Sequence, residues 1–132
     1  MNLWSAFAVN ILNLKIIRFI DWAGFILYGD LPRTHFQGFY ALIIQLTWVG
    51  FLGIIFAYLY PLTTSRHYLI KGAFFGVFAG MIIYAIPVLL QTPILSKHTV
   101  QTVLSNHTGG LIWGLTMAQV LRWLDTTPNW NK

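Results

Sequence analysis

The sequence predicts an all-α membrane protein, a four-transmembrane-helix antiparallel bundle that forms one domain over residues 1–132. Two features of composition point to the bilayer: 57% of the residues are hydrophobic and only 8% are charged, whereas about a quarter of a soluble domain is charged. The third observation is that the apolar residues fall into four stretches, each long enough to cross about 30 Å of hydrocarbon. Backbone groups in lipid need internal partners, so each span is expected to be helical.

The four predicted spans cover residues 3–28, 36–62, 68–90 and 99–124. Turn-forming and charged residues separate them at 29–33, 61–66 and 91–98, and such short connections favour antiparallel neighbours. The orientation follows from the Lys and Arg residues near the span ends. One side has Arg66, Lys71, Arg122 and Lys132, and the other has Arg33 and Lys97. This excess predicts that both termini lie in the cytoplasm.

Polar and charged residues interrupt the first span at Asn10, Asn13, Lys15, Arg18 and Asp21. A charge at the bilayer centre costs about 2.5–3.5 kcal/mol, so these groups need compensation. Most of them fall along one stripe of a helix, where Arg18 and Asp21 are close enough to pair. Two alternatives remain open. The stripe is a polar track that lines a cavity or binds a lipid headgroup or ion, or else it is a paired internal network or a segment that lies partly in the interface, with Lys15 reaching the phosphates. In a variant of the second alternative, residues 1–14 form an interfacial helix and the true span is shorter and tilted.

Two glutamines, Gln45 in the second span and Gln119 in the fourth, are expected to form hydrogen bonds between helices. The predicted intramembrane polar network therefore consists of Asn10, Asn13, Lys15, Arg18, Asp21, Gln45 and Gln119.

Small residues recur at every fourth position of the last two spans and predict close helix packing, since short side chains let helix backbones approach each other in lipid. They are Gly72, Gly76 and Gly80 in the third span and Gly110, Gly114 and Ala118 in the fourth. The pattern leaves open whether each ladder packs within the chain or against a second copy.

The residue inventory points away from several classes of chemistry. Cysteine and glutamate are absent, and only three aspartates occur, which excludes thiolate metal sites and leaves few routes to paired-carboxylate catalysis. We expect no metal, no cofactor and no enzymatic activity. The net charge of +5 comes from scattered Lys and Arg residues, a distribution that favours anionic lipid headgroups as partners rather than nucleic acid.

Segments along nearly the whole chain carry a family resemblance. They are residues 18–23 with 27–29, 53–59, 69–72 with 75–76, 102–106, 113–114 and 122–125. In these segments the chain resembles the YqhR-type small membrane proteins of spore-forming Gram-positive bacteria. The resemblance implies a location in the bacterial plasma membrane and a four-helix topology. It implies no activity and no catalytic residue.

Together these features predict a non-enzymatic integral membrane protein that acts as an accessory, assembly or scaffold subunit or binds lipid. Membrane lipids are its expected partners, together with a second copy of the chain or a larger membrane complex. The alternative is a small oligomeric transporter or channel, in which the polar residues of the first span line a route. A conduit requires those residues to be hydrated, whereas a structural role requires them to be paired.

Overall fold

The computed structural model describes residues 1–62, 67–91 and 99–125, and all regular structure within these ranges is helical. This confirms the all-α prediction. The helices are α1 (Asn2–Asn10), α2 (Phe19–Tyr28), α3 (His35–Leu59), α4 (Tyr68–Leu89) and α5 (Val100–Asp125), and a single 3-10 turn (Tyr60–Leu62) follows α3.

Two helices in the described part of the chain are both long and apolar enough to cross a bilayer. They are α3, with 25 residues, and α4, with 22, and the most apolar window of each has a mean hydropathy of 2.1. Helix α5 is equally long at 26 residues, but its first half carries buried polar side chains, among them Thr102, Ser105 and Asn106. These three helices begin and end within three residues of the predicted spans 36–62, 68–90 and 99–124.

The prediction of one continuous helix over residues 3–28 is wrong. Helix α1 has nine residues and α2 has ten, so each is too short to cross about 30 Å of hydrocarbon. The chain between them, residues 11–18, is not helical. Asn13 adopts a left-handed conformation there, with φ of 51°, and asparagine is one of the few residues that tolerate it. Hydropathy detected the apolar composition of this stretch but not its interruption.

Glycines hold α4 against α5 within one chain. A Cβ atom added at Gly76 would lie 3.0 Å from the carbonyl carbon of Gly110 and 3.1 Å from the Cα of Gly114. One turn earlier, a Cβ atom at Gly72 would meet the carbonyl of Gly114 and lie 2.5 Å from the Cβ of Ala118. At these positions the two ladders of small residues therefore face each other at backbone distance.

Gly80 lies in a looser part of the same interface. The nearest atom to a Cβ added there is the Cδ2 of His107, at 3.9 Å, which is ordinary van der Waals contact. The α4 ladder consequently needs glycine at its first two positions and leaves room for a methyl group at the third.

The short helices pack on the side of this pair. The indole Nε1 of Trp4 in α1 donates to the carbonyl oxygen of Ser105 in α5 at 2.8 Å. In α2, Trp22 contacts Tyr84 of α4 edge to face, with ring centroids 5.1 Å apart. Helix α2 also packs along α3. Each short helix thus contacts at least one of the long helices.

Many large apolar side chains of the described helices are exposed, and several polar side chains are buried. The largest completely buried side chains are Asn106, Thr102 and Ser5, whereas Leu3 and Leu89 are 88% and 79% exposed. The interior therefore contains polar side chains beside apolar ones such as Trp22.

The count of Lys and Arg residues that predicts the orientation includes residues outside the described ranges. Arg66, Lys97 and Lys132 lie outside the described residues, so the predicted orientation of the termini stays a prediction.

Candidate functional site

The polar residues of the predicted first span lie in or beside the non-helical segment between α1 and α2. Asn10 is the last residue of α1, and Asn13 and Lys15 lie in the non-helical stretch, all with exposed side chains. They do not form a stripe on a helix with Arg18 and Asp21, and the prediction of such a stripe is wrong. The polar residues mark the place where the helix stops.

Arg18 and Asp21 form the predicted pair, and they also begin α2. The Asp21 carboxylate accepts hydrogen bonds from the Arg18 backbone N–H at 2.8 Å and from its Nε at 3.0 Å, both on Oδ2, and from Nη2 at 2.9 Å on Oδ1. Asp21 is thus the third residue of α2 reaching back to the residue that caps the helix. The Asp21 side chain is 14% exposed and that of Arg18 is 49% exposed.

The backbone of the break is held by side chains of α5. The Nδ2 of Asn106 donates to the carbonyl oxygen of Ile17 at 3.0 Å and to the hydroxyl of Tyr84 at 2.7 Å. Tyr84 in turn donates to the carbonyl oxygen of Thr102 at 3.2 Å, and the Thr102 hydroxyl accepts the N–H of Ile17 at 3.3 Å. Both backbone groups of Ile17 thus have side-chain partners in place of helical hydrogen bonds.

Sequence reasoning missed this buried network. Its signal was the spacing of Thr102, Ser105 and Asn106 at i, i+3 and i+4, which places three polar side chains on one face of α5. All three are at most 3% exposed.

The two glutamines of the predicted network belong to separate contacts. Gln45 Nε2 donates to Asn2 Oδ1 at 2.9 Å and joins α3 to α1. Gln119 Oε1 accepts the hydroxyl of Tyr68 at 2.9 Å and joins α5 to α4. The structure brings together Arg18 and Asp21 alone among the seven predicted residues.

A cavity of about 530 Å³ opens beside the Arg18–Asp21 pair. The first turn of α2, the connection to α3 and the first two turns of α3 line it. The lining residues are Arg18, Ile20, Asp21, Pro32, Arg33, Thr34, His35, Gly38, Phe39 and Leu42. The cavity therefore lies at the end of the bundle where α3 begins.

The connection between α2 and α3 shapes this cavity. Pro32 folds back against Gly24 of α2, so closely that a Cβ atom at Gly24 would overlap the proline ring. Thr34 then caps α3, since its hydroxyl accepts the N–H of Gln37 at 3.2 Å while the Gln37 side chain accepts the N–H of Arg33 at 2.8 Å. These contacts fix the segment that carries Arg33 and His35.

Arg33 has a carboxylate partner of its own. Its Nη2 contacts Oδ2 of Asp30, and Oδ1 of Asp30 accepts the N–H of Leu31 at 2.7 Å. The hydrogen bond from Leu31, followed by that from Arg33, lowers the pKa of Asp30 below its ordinary value. Both side chains are well exposed, 79% for Arg33 and 42% for Asp30.

Polarity changes along the cavity. Arg33, Thr34 and His35 stand at the start of α3, while Phe39 and Leu42 lie one and two turns further along it. Gly38 lies between His35 and Phe39 in the chain, and a Cβ atom added at Gly38 would meet nothing within 4 Å. The lining is therefore polar and charged where α3 begins and apolar one to two turns further along the helix.

A second groove, of about 410 Å³, lies between α3 and α5 and is almost entirely apolar. Gly50 and Val120 are among its lining residues. In the described ranges, no three His or Asp side chains are grouped as a metal site would require.

Comparisons with known proteins add no relative: no family model, no curated protein and no solved structure matches this chain. The resemblance to YqhR-type membrane proteins accordingly stays a prediction.

Proposed function

We propose that this chain is a non-enzymatic integral membrane protein that holds a membrane lipid in the cavity between α2 and α3. The change of polarity along that cavity carries the proposal. A lipid presents a polar headgroup followed by apolar chains, and the cavity presents Arg33 and His35 followed by Phe39 and Leu42. Because α3 is a candidate membrane span, its first turn belongs at the depth of lipid headgroups.

The many exposed large apolar side chains support a membrane location. Exposed Leu3 and Leu89 and buried Asn106 suit a protein whose solvent is hydrocarbon. We propose that α3, α4 and α5 cross the membrane and that α1 and α2 pack against them without each crossing it. This arrangement would place the carboxyl end of α5 in the cytoplasm, as the Lys and Arg count predicts. The predicted position of the N-terminus depended on a continuous first span.

This arrangement also relieves the charge cost of the first apolar stretch. Ile17 contacts Thr102, the third residue of α5, and Arg18 shares a cavity with His35, the first residue of α3. The break between α1 and α2 therefore lies at the end of the bundle where α3 and α5 begin. At that end Arg18 and Asp21 meet headgroups and water, and the cost of burying charge at the bilayer centre does not arise.

A transporter or channel is less well supported. A polar route along the first span would need its polar residues to line one path, but Asn13 and Lys15 lie in the break and Gln119 binds Tyr68 on the far side of the bundle.

The test is native mass spectrometry of the full chain released from lipid nanodiscs, with a pair of matched variants. Gly38→Leu fills the cavity, and Gly50→Leu places the same side chain on the same helix in the apolar groove; neither new Cβ atom meets anything within 4 Å. We expect the wild type and Gly50→Leu to retain a bound lipid and Gly38→Leu to lose it. Equal retention by the two variants, or loss from Gly50→Leu alone, would contradict the proposed site.

A further inference from the structure

We infer that the lipid held in this cavity is anionic, and that its phosphate takes Arg33 away from Asp30. The inference rests on the proposed function and names the class of lipid and the residue that selects it.

The charges that line the cavity favour an anion. Arg18 and Arg33 contribute two guanidinium groups and His35 contributes a further ring N–H, whereas Asp21 is the one carboxylate among the lining residues. Asp30 is not among the lining residues, although its carboxylate contacts Arg33. A phosphate that enters the cavity therefore meets donors from two directions, and guanidinium groups bind phosphate through paired N–H donors.

The two arginines are held differently. Arg18 donates to both oxygens of Asp21, and that carboxylate is nearly buried and occupied in beginning α2. Exchange at Arg18 would break two hydrogen bonds to a carboxylate that is largely shielded from solvent. Two of the five N–H donors of Arg18 are used in this way, so the remaining donors are available without breaking the pair.

Arg33 is the arginine that can change partner. It contacts Asp30 through Nη2 only, and its side chain is 79% exposed. Asp30 keeps its hydrogen bond from Leu31 when Arg33 leaves, and its exposed carboxylate is then hydrated. An exposed pair of this kind contributes little to stability, so a phosphate can compete with it.

The consequence is that Asp30 limits binding of the anion. Removing its charge should strengthen binding, which is the opposite of what substitution of a merely structural residue would do. Asp30→Asn suits this purpose because the amide oxygen of asparagine can still accept the Leu31 N–H.

The experiment measures headgroup preference in nanodiscs that contain equal amounts of phosphatidylglycerol and phosphatidylcholine, using native mass spectrometry of the full chain. We expect the wild type to retain phosphatidylglycerol in preference. Because Asp30 then no longer attracts Arg33 by charge, Asp30→Asn should raise this preference about 1.5-fold to fivefold. Arg33→Gln should lower it by a similar or larger factor. Arg122→Gln removes the same charge at the far end of α5 and should leave it unchanged.

The outcomes separate this inference from the proposed function. If Gly38→Leu loses lipid while Asp30→Asn and Arg33→Gln keep the wild-type preference, the cavity binds lipid and the inference about its charge is overturned. If Gly38→Leu also retains lipid, the proposed function itself fails. Inorganic phosphate, added alone, tests the other source of the same chemistry. Protection of the chain against thermal unfolding by inorganic phosphate, without any headgroup preference, would overturn the assignment to a lipid.

Discussion

The side-chain amide of Asn106 in α5 donates to the backbone carbonyl of Ile17, 3.0 Å away and 89 residues earlier in the chain. This contact supplies the partner that a helical hydrogen bond would otherwise give to Ile17. It ties the interruption between α1 and α2 to the helix that also packs tightly on α4. Specific side-chain contacts therefore hold the non-helical segment between α1 and α2 in place.

Replacing Asn106 by Leu should destabilise the protein by about 1–3 kcal/mol, because the carbonyl of Ile17 and the hydroxyl of Tyr84 lose a donor in a buried place. Thermal unfolding in detergent measures the effect. Thr116→Val is the matched control, since Thr116 is exposed on the same helix and bonds only to the carbonyl of Ile112 in its own helix. An equal effect of the two substitutions would show that the Asn106 contact has no special role.

Alanine substitutions along α4 should separate the tight and loose parts of its contact with α5. Gly76→Ala should destabilise the fold by about 1–3 kcal/mol, because its Cβ would meet the carbonyl group of Gly110. Gly80→Ala should be neutral or stabilising, since its nearest neighbour would be 3.9 Å away and alanine favours helix more than glycine does. Thermal stability of the two variants in one detergent is the measurement. Equal values would mean that the two glycines have similar surroundings.

Asp21→Ala should weaken the start of α2 by about 0.5–2 kcal/mol, because the N–H of Arg18 loses its acceptor. Asp21→Asn should lose less, since an amide oxygen can still accept that hydrogen bond. Hydrogen exchange of the amides in the first turn of α2 measures the loss directly. Faster exchange in both variants to the same extent would indicate that the charge matters and the cap does not.

Acid should reveal the contribution of Asp30. Its pKa is lowered in the fold, mainly by the Leu31 N–H and then by Arg33, so its contribution is present above the ordinary pKa of about 3.9. It is lost as the pH falls through the lower pKa of the folded state. The wild type should therefore lose more thermal stability than Asp30→Asn between about pH 5 and pH 2. Parallel acid titrations of the two proteins would contradict this.

Hydropathy, together with the turn-forming residues, located three of the helices. Apolar runs bounded by turn-forming residues placed α3, α4 and α5 within three residues of their ends, because a long apolar run without a helix-breaking residue at its centre is compatible with one continuous helix. The prediction of the first span failed for a physical reason. Asn13 interrupts the helix by adopting a positive φ, and Arg18 caps the start of α2. A hydropathy average does not register either effect.

The candidate site was only half visible in the sequence. The spacing of Arg18 and Asp21 indicated their pair, which the structure contains. The cavity beside them depends on Pro32 packing against Gly24, a contact that follows from the path of the connection and from no periodic pattern. The sequence alone did not mark Arg33 or His35 as site residues. The path of the connection places both of them in the lining of the cavity, together with Arg18.

We propose that a lipid lies between α2 and α3. Photo-crosslinking tests this proposal, with a phospholipid that carries a diazirine on the first part of its acyl chain and mapping of the labelled residues by mass spectrometry. We expect labelling of Ile20, Phe39 and Leu42, and loss of that labelling in Gly38→Leu. Labelling centred on the groove at Gly50 and Val120, with none at Phe39, would contradict it.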